Sequence, residues 1–300
     1  MKKIVGVGAC VLDTYIEMDS YPNEDIKIKA QKVFSCGGGP TGNALVGIAK
    51  LGVEAEYLGA LSNDAYGHQL INEFKRFGVN TNNIKLLDNI DAFKAFIILG
   101  KDKGTRTVLF DKGTIPDDPS LLNLEAIKDA DILHLDGNFM NIALESVKVA
   151  KKYNKIVSLD AGSPYPRVEE LLPYVDILIP SESFALKFTG KDNVDDAIME
   201  LYEKYKPQVL VVTQGPKGGT YIESGKVHHY EAFKIDCLDS NGAGDIFHGA
   251  FLVAYLEGKS LLDSIYFASA TSALKCTRVG VRNALPNKQE VEAFLKARGK

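Results

Sequence analysis

The segment Asp239-Ser240-Asn241-Gly242-Ala243-Gly244-Asp245 joins a glycine turn to a helix start. Behind it, Ile246, Phe247, Ala250, Phe251, Val253, Ala254 and Tyr255 form a broad apolar face without proline. The first N–H groups of such a helix, from Gly242, Ala243 and Gly244, lack helical partners and lie at the positive end of the macrodipole. That is an anion site suited to phosphate. A carboxylate beside a phosphate is repulsive unless a group between them needs it. A hydroxyl attacking phosphorus is such a group, and Asp245 can accept its proton. Close to a helix start, Asp245 is expected to stay ionised and to act late, as a weak base. The plain alternative is an N-cap aspartate after an ordinary turn.

Other chemistry-bearing residues are scattered along the chain. Asp13 follows the apolar run Ile4–Val11, where ligands meet the carboxyl ends of strands in open α/β sheets. Gly37-Gly38-Gly39 reads as a ligand-facing turn before a helix over 44–51, with Asn43 at its head. Thr213-Gln214-Gly215-Pro216-Lys217-Gly218-Gly219 leaves another strand and suits either nucleotide phosphates or a hairpin turn. Arg278 and Arg282 read as surface charge or as the rim of a nucleotide pocket. His134, His228, His229 and His248 show no metal spacing, and a histidine such as His248 on a helix face is more often structural.

Stepping outward, short apolar strands alternate with amphipathic helices from residue 54 to 213, which predicts βαβ units and a parallel sheet. Tyr15–Met18, Ile26–Ala30, Ala92–Leu99 and Thr105–Phe110 instead alternate apolar and polar residues. They predict a small separate β-sheet, a lid built from two excursions at about 14–35 and 91–111. Single-domain organisation over 1–300 fits the length. The net charge of −4 and the lack of a basic stripe argue against nucleic acid. No apolar run is long enough to span a bilayer. Cys10, Cys36, Cys237 and Cys276 form no CxxC pair and read as free thiols of a cytoplasmic protein.

Two of these motifs, Gly38-Gly39-Pro40-Thr41-Gly42-Asn43-Ala44 and Asp239-Ser240-Asn241-Gly242-Ala243-Gly244-Asp245, resemble in order and separation the signatures of ribokinase-like (PfkB-type) carbohydrate kinases. The resemblance covers essentially the whole chain. It implies a three-layer α/β/α domain with a β-sheet lid, and transfer of the γ-phosphoryl of ATP to a sugar hydroxyl. By position, Asp245 is the general base and the amides of Gly242, Ala243 and Gly244 the anion hole. Asp13, Gly38, Gly39 and Asn43 hold sugar hydroxyls; Thr213, Gly215, Gly218 and Ser269 belong to the nucleotide site. Asp239, the Asn241 carbonyl and the segment at Gly280 correspond to a monovalent-cation (K⁺) site in some members. Many members carry Asn-x-x-Glu after the strand ending at 180, tied to Mg²⁺-bound water; here Ser181-Glu182-Ser183-Phe184 stands there, with Glu182 as a substitute. Some ribose-specific members have lysine where Pro40 stands. Tyr21–Asp25 and Gly104–Val108 look more like ketohexokinases, which brings Asp25 and Arg106 toward the sugar and suggests a ketose such as fructose. A nucleoside kinase and a sugar-binding regulatory protein are the alternatives. An exposed apolar lid face suggests a homodimer.

Overall fold

The structure, a computed structural model, describes residues 2–100 and 105–300, without the side chains of Thr105 and Arg106. In chain order its first half contains β1 (Lys3–Val7), β2 (Val11–Met18), β3 (Lys32–Gly38), α1 (Pro40–Lys50), β4 (Glu54–Tyr57), β5 (Gly59–Ser62), α2 (Ala65–Arg76), β6 (Ile84–Leu87), β7 (Lys94–Gly100) and β8 (Thr105–Asp111). There follow β9 (Ile132–Leu135), α3 (Met140–Lys152), β10 (Ile156–Ala161), β11 (Ile177–Pro180), α4 (Glu182–Thr189), α5 (Val194–Tyr205), β12 (Val209–Thr213), β13 (Gly219–Glu223) and β14 (Lys226–Tyr230). Three helices close the chain: α6 (Ala243–Leu256), α7 (Leu261–Cys276) and α8 (Lys288–Lys296).

The main sheet runs β14-β13-β12-β11-β10-β9-β1-β4, parallel from β4 to β12 and antiparallel at β13 and β14. Its strands are apolar on both faces because both are covered. Ile4, Ile132, Ile177 and Val211 pack toward α1, α6 and α7, whereas Val5, Leu133, Leu178 and Leu210 pack toward α3, α4 and α5. The result is the expected three-layer α/β/α arrangement. A second sheet, β3-β2-β7-β8, stands apart as the lid-like layer.

Several boundaries differ from the sequence reading. The run Ile4–Val11 is not one strand. It breaks at Gly8-Ala9-Cys10, where side chains replace the ladder: Tyr57 donates to the Gly8 carbonyl at 2.9 Å and Asp136 accepts the Ala9 N–H at 2.7 Å. Asp13 therefore rides on the lid strand β2 rather than on a turn after β1. Ile26–Ala30 is irregular and exposed, and the lid strand is Lys32–Gly38 instead. Gly37 and Gly38 end that strand rather than forming a turn. A Cβ on Gly38 would lie 2.0 Å from the Asp13 carboxylate, so glycine admits that side chain. The segment 55–60 splits at Leu58, and Gly59–Ser62 pairs with β6. Pro173 reduces 168–174 to two 3₁₀ turns. Among the described residues no helix is long and apolar enough to cross a membrane.

Candidate active site at the carboxyl ends of the sheet

Helix α1 opens directly after the lid strand β3, with Gly39 as N-cap and Pro40 in the first turn. The helix thus starts four residues before the expected position 44, and Asn43 lies within its first turn instead of ahead of it. Helix α6 opens with Gly242 as N-cap, at φ 69°, and no side chain caps it. Asp245 is therefore not the N-cap; it points from the first turn toward α1. The two helices pack closely because Gly249 has no side chain: a Cβ there would lie 2.5 Å from the Ala44 carbonyl. That approach lets the Asn43 Nδ2 donate to Asp245 Oδ2 at 2.8 Å, across 202 residues of sequence.

Arg282 organises the other side of Asn43. It is 2% exposed, so it is neither surface charge nor part of a nucleotide rim. Its guanidinium donates to Asn43 Oδ1 at 3.1 Å, to the Gly38 carbonyl at 2.8 Å and to Glu73 Oε1 at 3.2 Å, and lies over the Phe74 ring. Glu73 in turn accepts the Gly37 N–H at 2.9 Å. The guanidinium thus fixes the amide oxygen of Asn43, which leaves its NH₂ to donate to Asp245. Only the position 282, two residues beyond Gly280, marks this role in the sequence, and it is no motif.

Asp13 is 7% exposed. Burial raises its pKa to about 7; Arg282 opposes this, while the Asp245 and Glu73 charges add to it. Asp245, half-buried in the cleft wall, is pushed up to about 6 by burial and by the Asp160 charge, against the Asn43 hydrogen bond. Asp245 thus stays a weak base that is ionised at neutral pH, though a stronger base than a free aspartate. The dipole of α6 is outweighed by desolvation and by neighbouring acids.

Those neighbours went unnoticed in the sequence. Asp136 immediately follows β9, and Asp160 is the penultimate residue of β10. Asp136 accepts from the Ala9 and Asn138 amides and, at 2.9 Å, from the Thr41 hydroxyl; burial nonetheless raises its pKa. Asp160 lies 3.2 Å from His248 Nε2. Burial works against its ionisation, but the imidazole holds its pKa below the usual value. The strand-end rule applied to Asp13 would have found both.

Asp136, Asp160, Asp245 and His248 surround a hollow of about 140 Å³ that also reaches Pro40, Tyr165 and Ser181. Thr213 and Gly244 line both this hollow and a larger one of about 620 Å³. The larger cavity contains all four residues expected for the nucleotide, Thr213, Gly215, Gly218 and Ser269, together with apolar Phe233, Phe247 and Ala273. The 213–219 segment is also a hairpin turn, since β12 and β13 pair antiparallel; the two readings coincide. Arg278 lies elsewhere, bonded to Glu290 at 2.5 Å.

Glu182 opens α4 and accepts from Gln214 Nε2 at 3.0 Å, with Lys217 Nζ at 3.6 Å. Among the described residues no group of three acidic, histidine or cysteine side chains could hold a metal. Asp25 sits on an exposed turn between β2 and β3, at φ 57°. The Arg106 side chain lies outside the described residues. Asp239, Asn241 and Gly280 do converge: the Asp239 carboxylate accepts the Asn241 and Gly280 N–H groups, both at 2.9 Å. The place expected for a monovalent cation has an occupant from the chain itself. The carbonyls of Asp239 and Asn241 already accept from the ammonium of Lys275, so a second cation would meet like charge.

Residues 1–288 match the family described as pfkB family carbohydrate kinase. The chain is 26% identical over 299 residues to the ribokinase of Bacillus subtilis, covering 98% of this chain and 100% of that one. It is 31% identical over 292 residues to the probable chloroplastic fructokinase-6 of Arabidopsis thaliana, covering 87% and 75%. Arabidopsis thaliana ribokinase complexed with ribose and ATP superposes with a TM-score of 0.86 at 27% identity, covering 98% and 99%. The chain belongs to the pfkB family of carbohydrate kinases, phosphotransferases that act on an alcohol group.

Proposed function

We propose that the protein is an ATP-dependent sugar kinase whose acceptor is a small ketose such as fructose, with Asp245 as general base. The observation that carries this assignment is the Asn43–Asp245 hydrogen bond, which joins the two glycine motifs beside the smaller hollow that Asp245 lines. ATP enters the larger cavity along Thr213, Gly215, Gly218 and Ser269. Its γ-phosphate meets the amides of Gly242, Ala243 and Gly244, while the sugar lies between Asp13, Gly38, Gly39 and Asn43. Asp245, with its pKa near 6, is ionised at neutral pH yet more basic than a free aspartate, which suits proton removal from an alcohol. The amides stabilise charge on the phosphoryl group in flight. Mg²⁺, when bound, would offset charge on the phosphates and would be held largely through phosphate oxygens and water, which Glu182, at the start of α4, would help to orient. The lid sheet presents Asp13 and Tyr15 inward and excludes water, the competing nucleophile.

The outer face of that sheet supports a homodimer. By register, Ile16, Val33, Phe96, Ile98 and Leu109 share it, with Val33 60% and Leu109 56% exposed. A contiguous apolar face of this kind marks a contact surface. Sedimentation of the protein and of Leu109→Glu tests it, dimer and monomer being expected respectively.

Ribose is the second acceptor reading, favoured by the full-length match to a ribokinase and the fold shared with the ribose complex. A coupled ADP-release screen over ketoses, aldoses, sugar acids and nucleosides decides. Fructose-dependent ADP is expected. Ribose-only turnover replaces the acceptor, nucleoside-only turnover makes this a nucleoside kinase, and sugar binding without turnover makes it a regulatory protein.

A further inference from the structure

The turn that feeds α6 is tied down by a lysine. Lys275, on the last turn of α7, is 0% exposed. Its Nζ donates to the Asp239 carbonyl at 2.7 Å and to the Asn241 carbonyl, and lies 3.8 Å from the Asp239 carboxylate. An isolated buried ammonium is costly, and burial pulls the Lys275 pKa below the usual lysine value, with Asp239 opposing it. Two carbonyls and a carboxylate are also oxygen donors of the kind that hold a hard metal cation. Here a tethered ammonium uses them.

The Asn241 carbonyl belongs to the same planar, trans peptide unit as the Gly242 N–H. The two point opposite ways, so holding the oxygen on Lys275 aims that N–H away from the lysine. We infer that Lys275 is a built-in cation that positions the anion-binding turn, so that phosphoryl transfer by this protein needs no free monovalent cation. Lys275 is a positioning residue: it acts through the Asn241–Gly242 peptide. The inference rests on the role proposed above for that turn.

The test compares wild type with Lys275→Ala and Lys275→Met, each in potassium, ammonium and tetramethylammonium chloride at equal ionic strength. Turnover and thermal unfolding are both read. Wild type should show the same kcat and Tm in all three salts. Lys275→Ala should lose at least ~10-fold in kcat through misplacement of the turn, with sugar KM little changed. Potassium or ammonium, small enough to enter the vacated space, should restore part of the kcat and raise Tm, whereas tetramethylammonium should not. Wild-type turnover or Tm that rises with potassium overturns the inference, as does a loss that no cation repairs or an alanine variant with full turnover. Lys275→Met keeps most of the side-chain volume; should neither variant fold, the wild-type salt response alone decides. If no sugar is phosphorylated at all, the kinase reading fails separately, and the unfolding measurements still judge Lys275.

Discussion

The region proposed for the sugar and the region proposed for the nucleotide are built on different principles. Around Asn43 a chain of hydrogen bonds ties polar groups together: Arg282 bonds Asn43, Gly38 and Glu73, Glu73 bonds Gly37, and Asn43 bonds Asp245. The 620 Å³ cavity mixes small and apolar residues, among them Ala232, Phe233, Phe247 and Ala273, with hydroxyls such as Thr213 and Ser269, and among the described residues it has no comparable buried ion pair. A buried, fully partnered network fixes donor and acceptor directions before ligand arrives and rejects a hydroxyl in the wrong place, because its own polar groups are then left unpaired. An apolar slot of this size binds through shape and burial, and tolerates change. Selectivity between sugars should therefore reside in the first region and nucleotide affinity in the second.

The largest effect expected is at their junction. Asp245→Asn should lower kcat by ~10² or more, with sugar binding largely kept, in line with general-base contributions. Steady-state ADP release and calorimetric sugar titration read the two halves, and a variant with near wild-type turnover removes Asp245 from the mechanism.

Next comes the network itself. Arg282→Met leaves Glu73, the Gly38 carbonyl and Asn43 Oδ1 without their donor, in a pair whose partners are 1% and 9% exposed. A stability loss of about 3 kcal/mol or more is expected in urea denaturation, as for other broken buried ion pairs. Sugar KM should rise and ATP affinity stay. A parallel loss of both would dissolve the distinction between the two regions.

On the nucleotide side, Ser269→Leu should raise ATP KM by about 10-fold through overfilling of the slot while leaving sugar affinity unchanged. If sugar affinity falls equally, the two cavities do not act separately.

The smallest effect concerns pH, and it separates rate from stability. Asp13 and Asp245 have pKa values of about 7 and 6 in the folded state, both above the ordinary carboxylate value. Protonated Asp245 cannot accept a proton, so kcat/KM should fall as pH drops through 7 to 6, by about tenfold per unit below both values. Stability runs the other way. The fold favours the protonated forms, so their contribution is present at about pH 4 and lost as pH rises through 6 to 7. The unliganded protein should thus gain Tm on acidification in that window, and Asp13→Asn should flatten the gain. Since the two acids interact, the profile reports the pair.

The same contrast explains what was legible in the sequence. Local chemistry was: the α6 turn, most strands of the main sheet, and the β12 loop proposed for nucleotide all lie where their neighbours in sequence imply, whereas α1 starts four residues early. Arg282 and Lys275 were not, since each acts on a partner far along the chain and neither sits in a pattern of its own. The break after β1 was hidden for the same reason. Tyr57 and Asp136, distant in sequence, take over the backbone groups at 8 and 9, and only tertiary contact interrupts an otherwise strand-like run.

The bond between Asn43 and Asp245 also bears on how the protein is made. Its two ends leave the ribosome far apart in time, and Arg282, which orients one of them, emerges later still. A nascent or truncated chain can complete much of the main sheet and still have no assembled centre. The Asn43–Asp245–Arg282 arrangement therefore needs the chain through residue 282 before it can form.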